Sequence, residues 1–258
     1  MTVKQCIFTA NGAYKAHKHI KPVGIVVHST GCDNEMLRRY VQPTSANADY
    51  KELLADLGKN VYNNHLNQEY INGVYNDICM HAFIGKNDKG FVETYQTLPY
   101  DIACWGCGSG AKGSFNYAPT AHIQFEICED ALTDKVYFTN VFNEAIEYCA
   151  YLCNKLGLKP ESIVSHKEAS ALGYASAHGD PENWLERFGK NMNWFRTQVK
   201  AKMKKMTTDD SKTKTIYRVQ VGAYENYDNA KKFLETVKKS GYKNAFITKV
   251  EVKNNGKN

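Results

Sequence analysis

No stretch of eighteen apolar residues occurs in this chain, so nothing in it reads as a membrane-spanning helix. The opening MTVKQCIFTANG has neither the charged start nor the continuous apolar core of a secretion signal. The expectation is therefore a protein made in the cytoplasm that stays there until something releases it. Without an export signal, the eight cysteines (Cys6, Cys32, Cys79, Cys104, Cys107, Cys128, Cys149 and Cys153) are read as reduced thiols, many of them small buried hydrophobes. Cys104-Trp-Gly-Cys107 has no second CxxC to complete a structural zinc site and no thioredoxin-like surroundings, so it is read as two free thiols in a loop. No low-complexity tract appears.

What is present is enough for one large domain, or a domain with an appendage, and for a substantial core in 258 residues. Charge is unevenly spread. From residue 199 on there are 15 Lys/Arg against 6 Asp/Glu, +9, whereas the first 198 residues come to −3. A basic tail on a near-neutral body implies attraction to a polyanion: nucleic acid, a membrane face or the acidic polymers of a bacterial wall. A solvated lysine face is the plain alternative.

Gly24 to Ser29 is a short β-branched run, a buried strand. Spacing predicts helix over Glu35 to Gln42, stopped by Pro43, and again around Tyr50 to Leu57. Met80 to Gly85 and Gly90 to Tyr95 read as a hairpin turning at Lys86-Asn-Asp-Lys-Gly90, and a loop runs from Leu98 to Pro119. Ala121 to Cys128 is a further strand. The clearest helix places Phe138, Val141, Phe142, Ala145, Ile146, Cys149, Leu152, Cys153 and Leu156 on one face at the 3.6 period. Gly157 closes it and Pro160 follows. Ser162 to Ser165 is a short strand delivering His166, and a last amphipathic helix spans about Trp184 to Lys205. Strands interleaved with helices indicate an α/β fold, a mixed central sheet flanked by helices. Met206 to Thr215 (MTTDDSKTKT) is a polar linker. Beyond it come a strand, Tyr217 to Tyr224, a helix, Asn229 to Ser240, and a second strand, Ala245 to Val252.

The chemistry concentrates in Ile163 to Pro181, IVSHKEASALGYASAHGDP. His166, His178 and Asp180 fall within fifteen residues of small side chains, and His28 in VVHST supplies a distant fourth group. Two imidazoles and a carboxylate form a three-ligand catalytic zinc site, with nitrogen and oxygen at about 2.0–2.2 Å and one position open to water. Loops are naturally rich in His, Asp and Gly, so the residues alone weigh the metal site and an ordinary surface loop about evenly.

Four motifs in order, GIVVHST (Gly24 to Thr30), HIQFEICED (His122 to Asp130), VSHKEA and AHGDP, resemble the zinc N-acetylmuramoyl-L-alanine amidases, the type-2 amidase family that includes peptidoglycan recognition proteins and phage lysins. The resemblance covers roughly Gly24 to Trp184. It implies the metal ligands His28, His166 and Asp180, with His178 as the alternative third ligand, and Glu126 as general base. His178 stands where the family has a Lys or another cationic donor. There it implies a donor to the oxyanion or a proton for the leaving amine. His122 shares a strand face with Gln124 and Glu126, and with His81, Trp105 and Tyr174 it is a candidate substrate contact; buried core positions are the plain alternative for these rings. Glu129 and Asp130 are expected to be solvated.

The segment opening YRVQVGAY resembles the first half of a SPOR domain, the module that binds glycan strands stripped of their peptides. The organisation implied is a catalytic domain over residues 1–205, a linker over 206–215 and a wall-binding half-domain over 216–258. Taken together, these resemblances imply a zinc-dependent hydrolase of bacterial peptidoglycan, an endolysin or autolysin acting on the wall after holin-dependent release or lysis. The competing readings are a non-catalytic peptidoglycan-binding module, which would lack the third ligand, and a cysteine peptidase using Cys32. Nucleic-acid binding by the tail has no matching motif.

Overall fold

The computed structural model describes residues 1–62, 70–71, 74–75, 78–210, 221–243 and 245–247. Its contacts divide the chain into two units, Met1–Ser211 and Lys212–Asn258. The first unit opens with β1 (Lys4–Gln5), α1 (Gly12–Ala16) and β2 (Gly24–Ser29), continues through α2 (Tyr50–Leu57) and the small antiparallel pair β3 (Tyr70–Ile71) and β4 (Val74–Tyr75), and reaches the hairpin β5 (Ala82–Lys86) and β6 (Val92–Gln96). Then come β7 (His122–Ile127), α3 (Lys135–Leu156), β8 (Ile163–Ser165), α4 (His166–Leu172), α5 (Glu182–Arg187) and α6 (Met192–Asp210). The six-stranded sheet has the order β1-β6-β5-β7-β2-β8. It is mixed, as expected: β5 and β6 are antiparallel, and β5, β7, β2 and β8 run parallel.

β2 lies between β7 and β8 with every residue buried, which is why GIVVHS reads as a continuous run rather than an alternating one. The pleat still sorts its side chains by face. Ile25 and Val27 join Ile123, Phe125 and Ile127 in the main core, packed with α3 and α6. Val26 points the other way, into a small cluster with Cys107, Phe115, Ala169 and Ala175. His28, Gln124 and Glu126 share that second face by parity, so one side of the central strands packs the main core and the other holds the candidate site residues.

α3 follows its sequence pattern closely. Asp134 caps it by accepting from the Val136 and Tyr137 N–H groups, and Gly157 ends it in the left-handed conformation at φ 68°. Trp184 of α5 is fully buried, with ring centroids 5.1 Å from Phe142 and 6.0 Å from Tyr137.

Four expectations are corrected. Glu35 to Gln42 forms only a single 3-10 turn, Leu37–Arg39. The helix expected over Trp184 to Lys205 is two, α5 and α6, because Gly189 takes φ 65° and lets the chain turn out of the first. α6 then runs on to Asp210, through the first half of the expected linker. The chain after Ser165 is not loop but helix α4. Its N-terminus carries a capping box: the Ser165 hydroxyl accepts from the Glu168 N–H at 2.9 Å, and the Glu168 carboxylate accepts from the Ser165 N–H at 3.1 Å.

In the second unit, α7 (Tyr227–Lys239) matches the expected helix and is capped by Asn226. Of the expected flanking strands, 217–220 and 248–252 lie outside the described residues. Residues 221–224 and 245–247 are described and have no regular secondary structure. No side chain of α7 is buried.

Candidate metal centre and active site

β2, β7 and β8 run parallel and end at the same edge of the sheet, where open α/β sheets place their ligands. The register sets His28 opposite Glu126 across β2 and β7 and brings Ser165, the residue before His166, opposite Val27. Two imidazoles and a carboxylic acid thus arrive from three neighbouring strands without any long loop having to find its place. Asp180 comes from the turn after α4, and the Ser29 N–H donates to its Oδ2 at 3.2 Å.

His28 and His166 are 1% and 4% exposed. Their Nδ1 atoms are 3.0 Å apart, Asp180 Oδ2 is 3.4 Å from His28 Nδ1, and Asp180 Oδ1 is 3.4 Å from His166 Nδ1. Ligands held about 2.0–2.2 Å from a common tetrahedral centre sit about 3.3–3.6 Å from one another. Each ring turns its other nitrogen away: His28 Nε2 is 3.1 Å from Gln124 Oε1, and His166 Nε2 is 3.4 Å from the Ser176 hydroxyl. Two imidazole nitrogens and a carboxylate therefore converge on one point, the donor set of a divalent cation. These three residues form the one group of convergent metal-ligating side chains among the described residues.

The electrostatics agree. Burial pushes the His28 imidazole below its ordinary pKa, outweighing the pull of Asp180, and so favours the neutral ring a metal requires. Burial alone would raise the Asp180 carboxyl, but the His166 and His28 imidazoles beside it hold it well below the usual carboxylate range. Glu126 behaves oppositely. Burial raises its pKa, and repulsion from Asp180 and Glu129 adds to the shift. Its Oε2 is buried with no hydrogen-bond partner among the described residues. An unsatisfied carboxyl oxygen beside three convergent ligand-type groups is a candidate for proton transfer.

His178 is exposed at the rim, its ring centroid 4.5 Å from that of His166 and its Nδ1 3.1 Å from the Ser176 hydroxyl. It lies beside the convergent set rather than in it. Tyr174 is half-buried and stacks on Phe115 at 4.8 Å, and Trp105 is half-buried against the second core cluster.

Two candidate substrate contacts are buried. His81 is wholly buried; its Nε2 reaches the Ile102 carbonyl at 3.0 Å and its Nδ1 accepts the Gln124 N–H at 3.0 Å. With both nitrogens bound to backbone, it ties the sheet to the following loop, and burial drops its pKa to about 4. His122 is 7% exposed, bonds the Thr120 carbonyl through Nδ1 and stacks on Phe115 at 3.9 Å. It stands opposite Gly24, where a Cβ would come within 2.4 Å of its Nε2.

Glu129 also departs from expectation. It is 8% exposed and accepts a short hydrogen bond from the Ser29 hydroxyl, while Asp130 caps the turn before α3. Gln124, Ser176 and Glu129 are the neighbours that sequence reasoning missed. Only Gln124 left a signal, its shared parity with Glu126. All eight cysteines are free and every one but Cys32 is buried, in keeping with reduced thiols used as packing.

Comparison with known proteins was consistent with this geometry. The family model for N-acetylmuramoyl-L-alanine amidase matches residues 18–183, and that for the SPOR domain matches residues 189–249. The second match thus begins before Tyr217 and takes in α6, whose Met192, Phe195 and Val199 pack in the core of the first unit. Protein Ami of Listeria monocytogenes is 23% identical over 218 residues, covering 81% of this chain. The chain spans 19% of the length of that curated relative. Among solved structures, Staphylococcus aureus hydrolase AmiA in complex with its ligand superimposes with a TM-score of 0.51 at 18% identity, over 81% of this chain and 86% of that one, a likeness of fold. PlyL gives a TM-score of 0.48 at 17% identity, over 77% and 97%.

Proposed function

The chain belongs to the N-acetylmuramoyl-L-alanine amidase family, and from that premise we propose that it hydrolyses the amide between the lactyl group of N-acetylmuramic acid and L-alanine in bacterial peptidoglycan, with zinc held by His28, His166 and Asp180. The observation that carries the proposal is the convergence of His28 Nδ1, His166 Nδ1 and the Asp180 carboxylate beside the unsatisfied carboxyl of Glu126. A zinc ion bound there supplies Lewis-acid polarisation of the scissile carbonyl and lowers the pKa of water toward about 7.

The remaining chemistry belongs to the protein's own groups. Glu126 takes the proton of the attacking water, for which a carboxyl raised by burial is suited, since a base works best with a pKa near the working pH. Asp180 stays ionised and, held by the Ser29 N–H, keeps its two oxygens facing the imidazoles. His178, exposed beside His166, hydrogen-bonds the developing oxyanion or returns a proton to the departing L-alanine amine.

The basic C-terminal region carries the SPOR match. Its role on this reading is to bind the bare glycan strands that amide cleavage leaves behind, retaining the enzyme on worked wall. The whole acts as an endolysin or autolysin once it has reached the wall. Among the described residues no helix is long and apolar enough to cross a membrane.

The test is metal removal. Purified protein dialysed against EDTA should lose activity on cell walls and regain it with stoichiometric zinc, whereas a thiol enzyme using Cys32 would survive the chelator. A protein ending at Ser211 should cleave a soluble muramyl peptide like the full chain, yet bind and lyse sacculi less well. Plain charge attraction fades as the Debye length shrinks from about 10 Å at 0.1 M salt to 3 Å at 1 M. Binding of the full chain to amidase-treated sacculi, in excess over that of the Ser211-terminated protein, should outlast that salt change. Loss of the excess would leave a basic tail and no glycan recognition.

A further inference from the structure

We infer that the main chain of Cys107 sets the orientation and tautomer of both metal-binding imidazoles, reaching His28 through Asn116 and Gln124 and reaching His166 through Ser176. A side-chain amide seen alone can be turned either way, and an imidazole can carry its proton on either nitrogen. Here groups of fixed character remove the choice. The Cys107 N–H can only donate, and it meets Asn116 at 3.3 Å, so the atom it meets is the amide oxygen. The Gly108 carbonyl can only accept, and it lies 3.5 Å from the other end of the same amide, which must be the NH2. Gln124 then approaches the Asn116 oxygen at 2.8 Å and must present its own NH2 to it. That turns the Gln124 carbonyl oxygen to His28 Nε2 at 3.1 Å. His28 must therefore carry its proton on Nε2, and its Nδ1 lone pair is left facing His166 and Asp180.

The second arm starts from the opposite end of the same residue. The Cys107 carbonyl accepts from the Ser176 N–H at 2.9 Å and from the Ser176 hydroxyl at 3.2 Å. With its hydrogen given to that carbonyl, or to His178 Nδ1 at 3.1 Å, the hydroxyl oxygen offers a lone pair to His166 Nε2 at 3.4 Å. His166 is then also an Nε2–H imidazole with Nδ1 inward. Gln124 and Cys107 are wholly buried and Asn116 is 6% exposed, so water does not compete on the first arm. Gln124, Asn116 and Ser176 are thus positioning residues. Partners of this kind typically contribute about 10–100-fold in metal affinity.

The inference rests on the zinc reading, but its test does not depend on it. The first measurement is the two-bond proton–nitrogen spectrum of the histidine-labelled, metal-free full-length protein, with His28 assigned by its loss in His28→Gln. His28 should show a protonated Nε2. An Nδ1–H tautomer in the wild-type protein overturns the inference, whatever any variant does. The second measurement is zinc affinity by competition with a chromogenic chelator. Gln124→Met, of similar volume but without an acceptor, should weaken zinc by about 10–100-fold and let His28 populate both tautomers. Gln124→Glu, which keeps an oxygen toward His28, should hold the Nε2–H tautomer and bind within a few-fold of wild type. A folded Gln124→Met protein with unchanged tautomer and unchanged zinc affinity refutes the inference. If no variant or wild-type protein takes up zinc, the proposed function fails instead, and the tautomer spectrum still decides this point.

Discussion

Replacing Glu126 by Gln should make the metal-free protein more stable while all but abolishing its activity. The carboxyl is wholly buried at Oε2, without a partner among the described residues, and both Asp180 and Glu129 repel its charge. Its folded pKa lies above the ordinary 4.5, so the folded state binds this proton more tightly than the unfolded chain does. Below about pH 4.5 both states are protonated and the group is neutral in its effect. As pH rises from there toward the folded value, the unfolded chain ionises freely, and folding must either hold the proton or bury a charge, so stability falls. Glutamine has no such dependence.

An unsatisfied buried polar group costs about 1–3 kcal/mol, more if charged. Because the glutamine amide inherits part of the same deficit, a net gain of about 1–2 kcal/mol is the conservative expectation at neutral pH. A domain of this size shifts its melting temperature by about 2–4 °C per kcal/mol, so the variant should melt about 2–8 °C higher at pH 7.5. The gap should close near pH 4.5 and shrink when zinc is added, because a cation favours the ionised glutamate. Turnover should drop by on the order of 10²–10⁴. Calorimetry of both metal-free proteins across that pH range checks the reasoning. Equal melting temperatures at pH 7.5, or a gap that widens toward acid, would refute it, and near wild-type turnover would remove Glu126 from the chemistry.

Three further outcomes are expected. Asp180→Ala should lose most bound metal and activity, while His178→Ala keeps the metal and loses rate; the reverse pattern in metal analysis would exchange their roles. Ser165→Ala breaks the capping box that starts α4 at His166 and also removes the 2.6 Å bond to Glu182. It should therefore cost about 1 kcal/mol for the cap alone and weaken zinc binding besides, and unchanged thermal stability would count against the box as the device that places His166. His81→Asn should lower the melting temperature without changing the Michaelis constant, and a raised Michaelis constant at unchanged stability would restore it as a substrate contact.

The sheet and α3 were legible because one rule decided each. β2 is an apolar run and β7 alternates apolar with polar residues, each bounded by turns, and α3 keeps its 3.6 period from Phe138 to Leu156 between Asp134 and Gly157. His28, His166, Glu126 and Asp180 could be named from ordered motifs, since short parallel strands that end together make near neighbours of residues far apart in sequence. Other features turned on contacts that no local pattern records. His81 and His122 look like free imidazoles in a strand, but backbone carbonyls and the Phe115 ring claim them. Glu129 follows Glu126 by three residues, and it is buried because the Ser29 hydroxyl reaches it. The α4 helix was readable and overlooked: Ser165-His-Lys-Glu168 is a capping box, masked by the glycines that follow. Gly189 likewise breaks the last helix within a stretch whose apolar spacing continues past it.

The most direct test is the mass of the products released from a defined muropeptide by zinc-loaded and by EDTA-treated protein. The zinc-loaded chain should release an intact glycan fragment ending in the free lactyl carboxylate of N-acetylmuramic acid together with a stem peptide bearing a new L-alanine amino terminus, and the EDTA-treated chain should release neither. Cleavage within the glycan or inside the stem peptide, or the same products undiminished after chelation, would contradict it.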